Sequence, residues 1–338
     1  MRSGRTTSRD PPRSRSRCSW SRSACPPSSS SAEGCSNVTD HTTRRRRATL
    51  TPGQWIGRAV VAVVLAVFTA FFILPIIWLI LAPTKTNNEL LLSGPFSFGS
   101  LDQLAANWNE LFAFGGGVFA TWLGNSAFYS FAALGITLLV SIPAGYALAL
   151  IEFKGRRLLL VTTLIVMLIP NTALVLPIFL ELSAAKLIGS PLAVILPFSF
   201  FPFGVYLTYI YFSTAVSRDL LNAARIDGAG ELRVFGQVAM PLATPVIALV
   251  GFFSFVGNWN NYFLPFLVVG GQKIPVQVGL SNLLANVPAF NPTTATSIVI
   301  QLPTLALATL LSVAPILIIF LFAQRFLVEG MTAGGTKE

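Results

Sequence analysis

The three cysteines and the single histidine, the side chains best suited to nucleophilic catalysis or soft-metal binding, all fall in the first 41 positions: Cys18, Cys25, Cys35 and His41. Their spacing matches no standard zinc pattern, and an odd number in a cytoplasmic arm reads as reduced thiols. With neither type further along, a His- or Cys-based active site in the rest of the chain is excluded, and no metal site is expected. A G-x-x-x-x-G-K-S/T phosphate loop is also absent, so the chain has no usual means of hydrolysing ATP. Two clusters remain that can do chemistry of a gentler kind. Asn258, Asn260, Asn261 and Tyr262 supply uncharged donors and acceptors, suited to a hydroxyl-rich solute or, equally, to hydrogen bonds between helices or with a partner chain. The other is a polar island, Arg218 to Pro245, holding Arg218, Asp219, Arg225, Asp227, Glu231 and Arg233 in a chain otherwise poor in charge beyond its N-terminal arm.

The island reads as helix, turn, helix. Ser217 can cap a first helix carrying Leu220, Leu221, Ala223, Ala224 and Ile226. Asp227-Gly228 is a turn dipeptide, because glycine takes positive φ without steric cost. A second amphipathic helix is expected from about Glu231 to Ala239, with Leu232, Phe235, Val238 and Ala239 on one face. Pro241, lacking an N–H, then opens the next hydrophobic stretch.

The elements around these clusters are apolar spans. Hydrophobic residues make up 53% of the chain and charged residues 11%, far below the roughly one quarter of soluble domains. The net charge of +10 misleads as an average, since residues 1–50 carry eleven arginines against Asp10, Glu33 and Asp40. That Arg-, Ser- and Pro-rich arm is too poor in apolar residues to bury a core and is expected to be disordered. Arg44 to Arg47 suit an anionic membrane surface better than nucleic acid. A twin-arginine export signal fits poorly, because the apolar run after it is too long; an upstream start site is a further explanation. Six stretches are long enough to cross about 30 Å of hydrocarbon: about Trp55–Leu81, Val118–Ile151, Leu158–Leu180, Pro191–Phe212, Leu242–Val269 and Pro303–Phe326. Pro170 and Pro177 in the third, and Pro197 and Pro202 in the fourth, free backbone groups that lipid cannot satisfy, so these spans belong inside a bundle or along a polar path. With the N-terminus cytoplasmic, the arginine arm, Lys154, Arg156, Arg157, Arg218, Arg225, Arg233, Arg325 and Lys337 lie inside, against Lys85, Lys186 and Lys273 outside. Every Asp, Glu, Lys and Arg sits in a loop, in the arm or at a span end. Proton-coupled carriers keep an ionisable group within the bundle, so energy must come from a partner.

The island resembles the "EAA" loop of ABC-importer permeases, E-A-A-x-x-D-G-A followed by an aromatic residue and P-L-x-x-P. Asn222-Ala223-Ala224, Asp227-Gly228-Ala229, Phe235, Pro241-Leu242 and Pro245 fill that pattern, with Asn222 where the family has Glu. Phe255 to Pro265 resembles a W-N-x-[FY]-x-x-P segment of sugar-importer permeases, and Gln324-Arg325-Phe326 with Gly330 to Gly335 resembles their C-terminal ending. Over about residues 55–337 the chain is similar to the shorter permease of maltose-type importers, the MalG-like group. The resemblance implies an all-α integral membrane protein of the type I ABC importer permease fold, with six transmembrane helices and both termini cytoplasmic. It implies a cytoplasmic tail at 1–53, a permease domain at 54–328 containing a coupling loop at 214–241, and a short C-terminal tail at 329–338. It implies residence in the bacterial cell membrane, and as partners a second permease subunit, a dimer of ATP-binding subunits and an extracytoplasmic solute-binding protein, but no nucleic acid. ATP and Mg would be used by the ATPase partner, with no cofactor on this chain.

In that mechanism Asn222, Ala223, Ala224, Asp227, Gly228 and Ala229 form the ATPase-coupling surface, and Asn258, Asn260, Asn261 and Tyr262 border the solute path. Replacing a charged contact by the neutral Asn222 forfeits about 1–2 kcal/mol of docking, leaving the partner permease with the stronger anchor. A sugar or oligosaccharide is the expected cargo; glycerol phosphate, a polyamine, an intramembrane enzyme and a scaffold are the alternatives.

Overall fold

The computed structural model describes residues 52–291 and 299–332. The expectations for the N-terminal arm before residue 52 and for the last six residues lie outside the described residues. The chain divides into two units, Met1–Ala59 and Val60–Glu338, and the second holds every candidate site. Among the described residues every regular element is helical. That is the expected solution in lipid, where each backbone polar group must find its partner within its own segment.

Helix α1 (Pro52–Leu81) is about 45 Å long at 1.5 Å per residue and keeps its apolar side chains, such as Phe68 and Phe71, on the outside. Two short helices come next, α2 (Asn87–Leu92) and α3 (Leu101–Ala113), between the first two spans. They are tied down by Lys85, wholly buried with its Nζ donating to the Gly94 carbonyl at 2.8 Å, and by Asn107 Nδ2, which donates to the Pro83 carbonyl at 2.7 Å. Helix α4 (Val118–Leu150) is the central span. The third span is broken: α5 (Arg156–Met167) and the Asn171–Ala184 stretch that ends in α6 (Val175–Ala184) meet at 97° around Pro170. A straight third crossing over 158–180 is therefore replaced by two pieces, the first about 18 Å long. The fourth span is α7 (Leu192–Ser199) and α8 (Pro202–Thr214), separated at Phe200 and Phe201.

Helix α9 (Arg218–Ile226) begins the polar island, and after it come α10 (Glu231–Arg233), a π-helical turn at Val234–Ala239 and α11 (Met240–Leu242). A 77° bend at Ala243 then leads into α12 (Thr244–Trp259), with Pro245 in its first turn. The fifth span stops at Asn260–Tyr262, resumes as α13 (Phe263–Val268) and gives way to α14 (Val276–Ala285) and α15 (Leu302–Thr332). Six crossings result when each bent pair counts as one.

Helix α4 packs on α8 and α12, and α12 packs on α15. The α4–α8 approach is close enough that a Cβ on Gly145 would lie 2.4 Å from Thr208 Cβ, so glycine is required there. Two apolar clusters result. The larger surrounds Trp122, Phe255, Trp259 and Leu283; the smaller joins Tyr146, Phe212, Leu221, Val234 and Val250 beneath the island.

Candidate functional site

The island is built as its residues dictate. Ser217 Oγ accepts from the Asp219 N–H at 3.3 Å and starts α9. At the other end Gly228 has φ +85°, its N–H donates to the Arg225 carbonyl at 3.0 Å, and the Ala229 N–H donates to the Ala224 carbonyl at 3.0 Å. These paired bonds are a Schellman stop, which needs a left-handed residue just past the helix. Glu231 then reaches back. Its carboxylate accepts from Arg225 Nε at 2.7 Å and Nη2 at 3.2 Å, while Asn222 Oδ1 accepts from Arg225 Nη1 at 2.8 Å. The Glu231 bond holds the Arg225 guanidinium above its ordinary pKa. Asn222, in the position where the EAA pattern has its acid, is thus turned toward its own loop.

The loop has an inner and an outer face. Leu221, 1% exposed, and Val234 pack into the cluster with Phe212 and Tyr146, and Phe235 lies edge-on to Tyr146 at 4.9 Å. The π turn widens the helix and changes which residues face in. Val234, Phe235, Val238 and Ala239 turn to the core, whereas Leu232, expected on that face, is 89% exposed. A 3.6-residue period cannot anticipate a π insertion. Outside, Ile226 at 86% exposed joins Leu232, with Asn222, Ala223, Asp227 and Gly228 also exposed. Rigid attachment within and an apolar, small-residue surface without make a part that can be pushed.

The second site is a cavity of about 450 Å³. It lies where broken spans meet: Ile169 and Asn171 from the third, Phe200, Phe201 and Pro202 from the fourth, and Ser254, Gly257 and Asn258 from α12. Its polar lining is Asn171, Ser254 and Asn258, and among the described residues no charged side chain borders it. Of the four polar residues expected near a solute, Asn258 alone lines this space. Asn260 Oδ1 accepts from Gln277 at 3.5 Å, the Tyr262 hydroxyl is 3.3 Å from Ser281 Oγ on α14, and the Asn261 amide nitrogen is buried without a hydrogen-bond partner. Asn171 and Ser254 carry no signal in the sequence pattern, although Pro170 marks the break that exposes Asn171. Among the described residues no group of three His, Cys, Asp or Glu side chains is placed to hold a metal.

Comparison with known proteins agrees with this architecture. A family model described as the inner membrane component of binding-protein-dependent transport systems matches residues 141–333, which include the whole island and the cavity-forming spans. The chain is 32% identical over 273 residues to the arabinooligosaccharides transport system permease protein AraQ of Halalkalibacterium halodurans, covering 80% of this chain and 93% of that one. It is 29% identical to the diacetylchitobiose uptake system permease protein NgcG of Streptomyces coelicolor, covering 80% and 86%. In fold it is similar to a chain of a bacterial ABC transporter involved in the import of the acidic polysaccharide alginate, with a TM-score of 0.72 at 22% identity over 82% of this chain and 99% of that one. Such permeases work in systems that also contain an ATPase and a solute-binding protein, and they transport rather than catalyse. The chain belongs to the family of binding-protein-dependent transport system inner membrane components, as a multi-pass permease subunit of an ABC importer in the cell membrane.

Proposed function

We propose that the permease carries a short, uncharged oligosaccharide, and that the solute passes through the cavity between the broken third and fourth spans and α12. The observation that carries this is the lining: aromatic faces from Phe200, Phe201, Phe203 and Phe253, three neutral hydrogen-bonding side chains, and no ionic group among the described residues. Apolar sugar faces stack on aromatic rings while hydroxyls pair with a few placed polar groups. A phosphorylated solute or a polyamine would lose its counter-charge there, at high cost in a low-dielectric site. The names of the relatives, which transport arabinooligosaccharides and diacetylchitobiose, support the same class. Within it, Asn258 contacts solute directly, and Asn260, Asn261 and Tyr262 border the adjoining break of the fifth span.

The coupling surface is Asn222, Ala223, Ala224, Asp227, Gly228 and Ala229, carried on a loop spanning 214–241 that faces the cytoplasm together with both termini. Residues 54–328 form the permease domain, and 1–53 and 329–338 are tails. A dimer of ATP-binding subunits docks on this surface, binding ATP and Mg itself, and a second permease subunit completes the pathway; this chain binds no cofactor. Ile226 and Leu232 suit an apolar cleft in the ATPase. The test is to fill the cavity. Gly257 lines it, and a Cβ there meets nothing within 4 Å. Gly257→Phe is expected to cut uptake by vesicles containing the complete importer at least tenfold while the ATPase still co-purifies. Unchanged uptake would remove the cavity from the pathway.

A further inference from the structure

Behind the cavity wall lies a directed chain of hydrogen bonds. Asn258 Nδ2 donates to the Ser254 carbonyl at 2.8 Å and approaches Ser254 Oγ at 3.4 Å. Ser254 Oγ donates to Thr137 Oγ1 at 3.2 Å, and Thr137 Oγ1 donates to the Ser199 carbonyl at 3.0 Å. Thr137 belongs to α4 and is wholly buried; Ser254 and Ser199 are buried as well. Each hydroxyl gives its one proton forward and accepts from behind, so the chain has a single direction and its members polarise one another.

Its end point is the break in the fourth span. At Phe200 and Phe201 the backbone leaves the helical region, with ψ 106° and 85°, and Pro202 brings no N–H. In an unbroken helix the Ser199 carbonyl would accept from the Phe203 N–H four residues on. Here the Thr137 hydroxyl meets it instead. Pro202 biases the span toward the break, because the residue before a proline avoids the α region, and the Thr137 hydroxyl supplies the donor that the break takes from the Ser199 carbonyl. Straightening the span would exchange that donor for the Phe203 N–H, which makes residues 199–203 an element with two alternative bonding states. The other end of the chain lines the cavity. With Nδ2 committed to Ser254, Asn258 has its Oδ1 as the acceptor for a solute hydroxyl.

We propose that Thr137 is a positioning residue that holds the fourth span in its broken conformation, and that solute at Asn258 reinforces this hold through Ser254. The second clause rests on the cavity being the solute path; the first does not. A solute O–H donating to Asn258 Oδ1 polarises the amide, strengthens its N–H bond to Ser254 and, by the same effect down the chain, the Thr137 bond to the Ser199 carbonyl. Occupancy of the cavity thereby biases a two-state hinge, as a ligand with differential affinity must.

The experiment uses the complete importer purified from its host. Amide hydrogen exchange is measured over 198–206, and uptake is measured with a panel of arabinotriose, maltotriose and diacetylchitobiose. Thr137→Val keeps the shape and removes both bonds. It is expected to slow exchange of the Phe203 amide in the nucleotide-free state, as the span straightens, and to lower the maximal uptake rate about tenfold with the half-saturating concentration unchanged. Thr137→Ser should restore both. Ser254→Ala leaves the Thr137–Ser199 bond in place, so resting exchange stays that of the wild type while the maximal rate falls several-fold at unchanged half-saturation. Wild-type exchange in Thr137→Val overturns the hinge assignment, and a wild-type rate in Ser254→Ala overturns the link to the cavity. Should Thr137→Val fail to assemble, Thr137→Ala, which also removes both bonds, takes its place: unchanged Phe203 exchange in it overturns the hinge assignment, and the Ser254→Ala rate decides the link to the cavity. If Gly257→Phe leaves uptake intact, the cavity reading fails on its own, and the exchange result still judges Thr137.

Discussion

The island and the cavity solve opposite problems with the same material. The island is contiguous in sequence, polar, and fastened by short local bonds: Ser217 to Asp219, Gly228 to Arg225, Arg225 to Glu231. The cavity is assembled from stretches almost a hundred residues apart, around the breaks in the third and fourth spans. A part that receives a push needs a stiff body and an accessible outer face. A part that passes a solute needs walls whose backbone can change partners. The consequence is an expected division of labour, in which island variants uncouple or detach the ATPase and cavity variants alter solute passage with assembly intact.

The strongest way to break that division is through Leu221, which anchors α9 to Phe212 and Val234 in the smaller cluster. Truncating a fully buried leucine costs about 2–5 kcal/mol. Leu221→Ala is expected to loosen the whole loop, so that the ATPase no longer co-purifies and amide exchange over 218–230 accelerates by more than tenfold, on the order set by that loss, with exchange at 198–206 unchanged. Altered exchange at the fourth-span break would show that the two regions are one mechanical unit and not two.

A smaller and more selective effect is expected at Gly228. Its φ of +85° is left-handed, and the surrounding space is open, so a side chain there meets a backbone penalty and no clash. That penalty is of order 1–2 kcal/mol for a non-glycine residue. Gly228→Val should leave the importer assembled in part but reduce transport per ATP hydrolysed, because the Schellman stop between the two arms of the loop is weakened. Gly228→Asn, which tolerates the left-handed region better, should recover most of the loss. Equal loss in both variants would mean that the glycine is needed for close approach of the ATPase and not for the turn.

How far each region is legible in the sequence depends on the same contrast. Ser217 and Asp227-Gly228 state their roles locally, since a cap and a left-handed turn depend on a few neighbouring atoms. Pro241 does not open the next span: it stays within the helical run that ends at Leu242, and the span starts after the bend at Ala243 with Pro245 in its first turn. The six apolar spans are legible too, their length being set by the bilayer. The π turn at Val234–Ala239 is not, because nothing in a 3.6-residue pattern announces one extra residue in a turn, and periodicity places Leu232 on the wrong face as a result. The breaks are half legible. Pro170 and Pro202 predict disrupted helices, but a 97° bend and the placing of Asn171 and Asn258 around one cavity depend on packing between distant segments. Thr137 is invisible: a threonine in an apolar span reads as ordinary helix filler until Ser199 is found opposite it.

The finest comparison concerns Asn222, where the EAA pattern has Glu. In this loop Asn222 Oδ1 accepts from Arg225, whose other nitrogens are occupied by Glu231. Asn222→Glu would restore the acid, yet Arg225 stands within reach and would take it, leaving a carboxylate already partly neutralised before any ATPase arrives. Exposed ion pairs contribute about 0–1 kcal/mol and are screened by salt. The substitution alone is therefore expected to raise ATPase retention less than about fivefold at low salt and not at all at high salt. Combining it with Arg225→Gln removes the internal competitor and should release the carboxylate for the partner, raising low-salt retention further even though the Glu231 clasp is lost. Retention that rises fully with Asn222→Glu alone would show that the ATPase outcompetes Arg225, and that the internal clasp opens when the importer assembles.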